Sequence, residues 1–176
     1  MMWEHCLKSW IKNEKEILVL QEFFGYLLLD NFYLSKALLL KDIQYRSARF
    51  PICLVAKELV GEKNTCGVNL EEFNNSFITQ WFEKYTLNIA TENIKYDESY
   101  VKTVIKHESL QINDRYKGFH RIKPISKHII FYYKELENLV KNSSEFLIIN
   151  LETVEWLKEE LTEELIDDIE NIRKWA

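Results

Sequence analysis

Lys36 to Lys63 reads KALLLKDIQYRSARFPICLVAKELVGEK, and the order of its parts decides the fold. Leu38, Leu39 and Leu40 form a short apolar run suited to a buried parallel strand. From Ile52 to Val60 the apolar residues recur at helical spacing. Between the two lies the position of a phosphate-binding loop. Such a loop needs glycines so that main-chain N–H groups can wrap phosphate oxygens, a lysine for charge and a Ser or Thr for magnesium. The residues from Asp42 to Pro51, DIQYRSARFP, contain no glycine and no Gly-Lys-Ser/Thr. The strand and helix of a nucleotide site are therefore expected without its chemistry. If this loop folds, Ile43, Tyr45 or Phe50 is expected to pack inward where phosphates would otherwise lie.

Working outward, a chain of 176 residues with 47% hydrophobic content fits one compact domain. It divides into an N-terminal helical segment (1–35), an α/β core (36–151) and a C-terminal helix (152–176). Four Gly and two Pro leave no low-complexity linker, and no apolar run of membrane-spanning length occurs. The first ten residues, MMWEHCLKSW, lack the basic start and apolar centre of a signal peptide. A soluble, cytoplasmic protein without membrane contact is expected. Cys6, Cys53 and Cys66 have no CxxC spacing, and His5, His107, His120 and His128 form no close pair. Neither a disulfide framework nor a metal site is expected.

Upstream, Trp3, Leu7, Trp10 and Ile11, then Ile17, Leu20, Phe23, Phe24 and Leu27, recur at three- and four-residue steps. They predict two amphipathic helices broken near Lys12 to Lys15. Gly25 falls inside the second and is expected to permit close packing. Downstream, Gly61 suits a helix C-cap and Cys66 to Leu70 a short strand. A helix from Asn69 or Glu71 would carry Phe73, Phe77, Trp81 and Phe82 into the core. Thr86 to Thr91 is a strand ending at Glu92, and Asp97 opens a helix. Leu110 to Ile125 is a basic hairpin turning at Gly118. Lys127 to Tyr133 and Glu145 to Leu151 are further strands around a helix from Glu135. The tail carries Val154, Leu157, Leu161, Leu165, Ile169, Ile172 and Trp175 on one helical face, opposite an acidic one. Strands alternating with helices predict a mostly parallel five-stranded sheet flanked by helices.

Several stretches together resemble the phage and plasmid primase/helicase family, whose motor is a superfamily 3 helicase of the AAA+ class. They are LQEFFGYLL, KALLLK, KELVGEKN, VNLEEFNNSFI, LNIATEN, DESYVKTVI, INDRYKGF and IKPISKHIIF, colinear from Leu20 to Phe131, with IENIRKWA at the end. The resemblance implies an AAA+/P-loop-like core and a phage or mobile-element origin. It also implies where function is lost. The family's phosphate loop falls between Lys41 and Pro51, where Arg46 and Arg49 are left as surface cations. Its acidic position matches Glu92, a vestigial ATPase carboxylate. Its sensor Asn aligns with Lys134, and the segment bearing its arginine finger is replaced by the short passage from Asn138 to Ser144.

The segment resembling the family's DNA-tracking hairpin retains its chemistry. Arg115, Lys117, Arg121, Lys123 and Lys127 interleave with Tyr116, Phe119 and His120, a pattern that contacts phosphate and stacks on bases. A net charge of −5 argues against a general nucleic-acid coat. The expectation is a protein with no catalytic residue and no cofactor that acts by binding. A host or phage protein is the first partner expected, with the chain as inhibitor or decoy against a defence or competing machinery, anti-CRISPR action included. The alternative is a replication accessory that holds single-stranded DNA or RNA on the basic hairpin.

Overall fold

A computed structural model describes residues 2–31, 33–42, 49–93, 95–114, 116–152 and 165–176. Two helices open the chain, α1 (Met2–Trp10) and α2 (Glu14–Leu28). Asn13 separates them, its Oδ1 accepting from Lys15 N as an N-cap. Next come β1 (Ala37–Asp42), α3 (Arg49–Val60), β2 (Thr65–Cys66), α4 (Ser76–Thr79), β3 (Leu87–Ala90) and α5 (Glu98–Ile105). The hairpin strands β4 (Leu110–Asp114) and β5 (Gly118–Ile122) precede β6 (Lys127–Phe131), α6 (Glu137–Lys141) and β7 (Phe146–Leu151). The last helix, α7, spans Ile169–Trp175.

The α/β fold is the expected one. Five strands form a sheet in the order β2-β3-β6-β1-β7, and every neighbouring pair is parallel. Leu39 stands between Ile130 and Ile148 in register. The unbroken apolar run of β1 follows from two covered faces. Leu38 and Leu40 point to the core under α1, α2, α3 and α7. Ala37 and Leu39 point to a second core with Val101, Val104 and Ile105 of α5 and Leu139 of α6. Gly61 follows α3 at a φ of 86°, which a residue with a side chain adopts at a cost. Asp97 caps α5 by accepting from Ser99 N and Tyr100 N.

Gly25 is indeed a packing glycine. A Cβ there would lie 2.6 Å from Ala176 O, so α2 and the end of α7 meet backbone to backbone. Around that contact Trp3 packs against Trp10, Phe24 and Trp175.

The strand expected from Cys66 to Leu70 is confined to Thr65–Cys66, with Leu70 opening a 3-10 turn, and three further expectations differ from the structure. The helix expected from Asn69 is broken into a 3-10 turn (Leu70–Glu72), α4 and a second 3-10 turn (Gln80–Glu83). Asn69 and Asn75 bond main-chain N–H groups locally and restart the chain each time. The aromatic stripe is split as a result: Phe73 and Phe82 are buried, Phe77 and Trp81 exposed. Secondly, α3 begins at Arg49 rather than near Ile52, because Pro51 is accommodated in a first turn, where its missing N–H costs nothing. Thirdly, Phe50 is 70% exposed and it is Arg49 that points inward. Ile43, Tyr45 and Arg46 lie outside the described residues, as do Val154, Leu157, Leu161 and the acidic positions up to Glu164.

Candidate functional site

The strand order places a topological switch between β1 and β6. The connection leaving β1 runs through α3 on one face, whereas those leaving β3 and β6 run through α5 and α6 on the other. In open α/β sheets ligands enter the crevice at the carboxyl ends of such strands. Here the chain's own side chains meet at that place. Asp42 ends β1 and Arg49 begins α3. Arg49 Nη2 donates to Asp42 Oδ1 and, at 3.1 Å, to Tyr132 O just beyond β6. Both side chains are over 90% buried. The guanidinium lies over the rings of Phe131, at 5.0 Å, and Tyr133, at 5.9 Å. The surface cation expected at Arg49 is thus a buried ion pair joining β1, α3 and β6.

The neighbouring strand end is held by Asn93, a residue the sequence reading passed over for Glu92. Asn93 is fully buried. Its Nδ2 donates to Ala90 O and Phe131 O, and its Oδ1 accepts from Leu70 N. Glu92 itself is exposed, with its main-chain N–H bound to Asn69 Oδ1 at 3.0 Å. Lys134 is also exposed, in a 3-10 turn (Lys134–Leu136). Opposite charges at the two ends of the loop, Asp42 and Arg49, were the available signal for the ion pair. Nothing local marks Asn93.

The hairpin forms as expected, with Gln111 opposite Arg121, Asn113 opposite Phe119 and Asp114 opposite Gly118. Gly118 has a φ of 69° at the turn. Two-residue alternation sends Leu110, Ile112 and Ile122 to the second core and leaves Phe119 and Arg121 outward. Tyr116 is 92% and Phe119 75% exposed, and Lys117 stands between them at the tip. Arg115 lies outside the described residues. Lys123 is exposed at the foot of β5, its Nζ 5.7 Å from the Tyr33 ring centre.

Lys127 does not belong to this surface. It is 2% exposed, and its ammonium donates to Tyr26 O at 2.7 Å, Leu27 O at 3.3 Å and Leu29 O at 2.6 Å. The negative end of α2 explains the position: the last carbonyls of a helix lack partners, and a cation satisfies them. Burial pulls the Lys127 ammonium down to about 8, with Asp30 opposing the shift.

Among the described residues no group of three or more His, Cys, Asp or Glu side chains could hold a metal ion. No helix among them is long and apolar enough to cross a membrane. The three cysteines are free and buried, and burial pushes the Cys66 thiol up to about 12. That is the opposite of an activated nucleophile.

No protein-family model matches the chain, and no curated protein sequence does. Among solved structures it is similar to the apo C-terminal region (305-718) of NrS-1, with a TM-score of 0.66 and 14% identity over 97% of this chain and 44% of that one. An A-form apo structure of the same region gives 0.65 and 16% over 92% and 44%. A JCV helicase with a bound thiazolopyridine compound gives a TM-score of 0.47 and 10% identity over 89% of this chain and 60% of that one. The chain spans less than half the length of the NrS-1 regions it matches. What it shares with them, at these identities, is the fold: a five-stranded parallel sheet between layers of helices.

Proposed function

We propose that the chain is a primase/helicase-like protein without ATPase turnover that works by binding. The observation supporting this is the Asp42–Arg49 pair in the switch-point crevice. A phosphate site at the start of α3 would offer main-chain N–H groups and a positive helix end to an anion. Here the first residue of that helix is an arginine already bound to a carboxylate. An incoming phosphate would have to strip Asp42 of its partner and leave a buried charge, at a cost of several kcal/mol. Glu92, exposed just beyond the end of β3, then has no nucleotide to act upon. In this reading the protein acts in the cytoplasm of a bacterial host as an inhibitor or decoy of a host or competing machinery, host defence included. Calorimetry with magnesium-ATP is expected to give no binding heat, and phosphate release none above background. Micromolar ATP binding with turnover that disappears in Glu92→Gln would overturn it. A pull-down from infected cells with the intact protein as bait is expected to recover a protein partner that survives nuclease treatment.

The hairpin favours a second reading, a nucleic-acid-binding accessory of phage or plasmid replication. Tyr116 and Phe119 are the two most exposed large hydrophobic side chains among the described residues. With Lys117 and Arg121 beside them, they form a stacking surface with phosphate-neutralising charge. Single-stranded DNA and RNA binding measured across salt concentrations decides it. Lys117→Glu and Arg121→Glu are each expected to weaken binding and flatten the salt dependence. Unaltered binding in both variants removes the hairpin from consideration.

A further inference from the structure

Among the described residues the hairpin shares no strand pairing with the five-stranded sheet. Its orientation is set by its apolar inner face and its two roots. Leu110, Ile112 and Ile122 pack beside Phe73 and Phe82, but apolar contact is non-directional and leaves the hairpin free to rock. Hydrogen bonds at the roots supply the direction. At the entering root His107 is buried in the left-handed region, at a φ of 56°. One ring nitrogen faces Pro124 O at 3.0 Å, on the leaving root, and the other faces Leu34 O at 3.2 Å, on the turn after α2. The Tyr26 hydroxyl lies 3.3 Å from that second nitrogen and accepts from Leu34 N at 3.1 Å. At the leaving root Lys123 N donates to Glu83 Oε1 at 3.0 Å and Ile125 N to Phe82 O at 2.7 Å, while Lys127, the first residue of β6, holds three carbonyls at the end of α2 and in the turn and so ties the turn to the sheet.

A cavity of about 200 Å³, with Leu29 and Thr86 also in its lining, lies beside these contacts. Asp30, Asn31 and Tyr33 of the turn wall one side and Ile125 and Lys127 the other.

We propose that the hairpin and the turn after α2 form one mechanical unit, joined through His107 and Tyr26. An event at the hairpin is thereby felt at the end of α2, and a change in that turn reorients the hairpin. This coupling does not depend on what the hairpin binds. Hydrogen–deuterium exchange on the full chain tests it, comparing wild type with Tyr26→Phe and His107→Asn. Asn tolerates the left-handed backbone, and Tyr26→Phe removes a single hydroxyl, so it carries the comparison should the His107 variant fail to fold. In either variant, amides of the turn and of β4 and β5 are expected to lose protection together, by about tenfold, while β1 and β6 keep theirs. Loss confined to the turn, loss confined to the hairpin, or no loss in Tyr26→Phe would overturn the coupling.

Discussion

Arg49 donates to Asp42 across the loop that joins β1 to α3, and the same guanidinium reaches Tyr132 O beyond β6. One side chain thus ties the first strand, the first core helix and the neighbouring strand at the point where a bound ligand would otherwise separate them. Breaking the pair from one side leaves a buried charge without its counterion. Arg49→Met is expected to destabilise the protein by about 3–5 kcal/mol. The double variant Asp42→Leu with Arg49→Met is expected to recover most of that loss, since no charge is then left buried. Urea denaturation of the two singles and the double measures the difference. Additive losses would show that the pair does not act as a unit.

His128 gives the fold an acid limit. It is 1% exposed, with Phe73 and Phe82 against its ring and Asn88 Nδ2 at 3.3 Å from its Nδ1. Burial, with a smaller contribution from His107, pushes it down from 6.5 to about 3. Between those values the unfolded chain takes up a proton that the folded chain refuses. Stability is therefore present above pH 6.5 and falls as pH drops toward 3, by up to about 1.4 kcal/mol per pH unit. His107, lowered chiefly by burial, contributes with the same sign. In His128→Gln the fall in urea midpoint between pH 7 and pH 4.5 is expected to be smaller than in wild type. An unchanged fall would place the acid sensitivity elsewhere.

Gly25 should reverse the usual rule for helices. Replacing a helical glycine by alanine normally gains roughly 1 kcal/mol. Here the added methyl would stand 2.6 Å from the Ala176 carbonyl oxygen, a main-chain atom. Gly25→Ala is expected to lower stability by about 1–3 kcal/mol and to loosen Trp175 from Trp3 and Phe24. Denaturation together with tryptophan emission, expected to shift to the red, reads both effects. A variant more stable than wild type would refute the contact.

Tyr116 and Phe119 separate binding from folding. Both are mostly exposed, so Tyr116→Ala and Phe119→Ala are expected to change stability by no more than about 0.5 kcal/mol. If the hairpin stacks on bases, each variant weakens single-strand binding by about 1–3 kcal/mol. Normal binding by both variants would leave charge alone as the source of affinity.

Much of the framework was legible because it is written in local periodicity. The apolar run at Leu38 to Leu40, the spacing of the N-terminal aromatics, Gly118 at a turn and Asp97 before a helix each state their structure within a few residues. Where local signals competed, reading them became harder. The asparagines at Asn69 and Asn75 divided what the aromatic spacing presented as one helix, and half of that stripe faces solvent. Among the candidate site residues, Tyr116 and Lys117 stand at the hairpin tip, Arg121 on β5 and Lys123 at its foot. Lys127 is close in sequence to this group and carries the same charge, yet it turns the other way.

The sequence by itself determined the α/β alternation, the parallel sheet and the absence of a glycine-built phosphate loop between Leu40 and Ile52, because backbone geometry and hydrophobic period act locally. Only the tertiary structure decided where the cations go. Arg49 is buried because Tyr132, 83 residues away, offers a carbonyl beside Asp42. Lys127 is buried because Tyr26 O and Leu27 O at the end of α2, about 100 residues earlier, converge on its ammonium. A charged side chain enters a core where other groups satisfy it, and apart from Asp42, seven residues before Arg49, no local stretch of sequence records those partners.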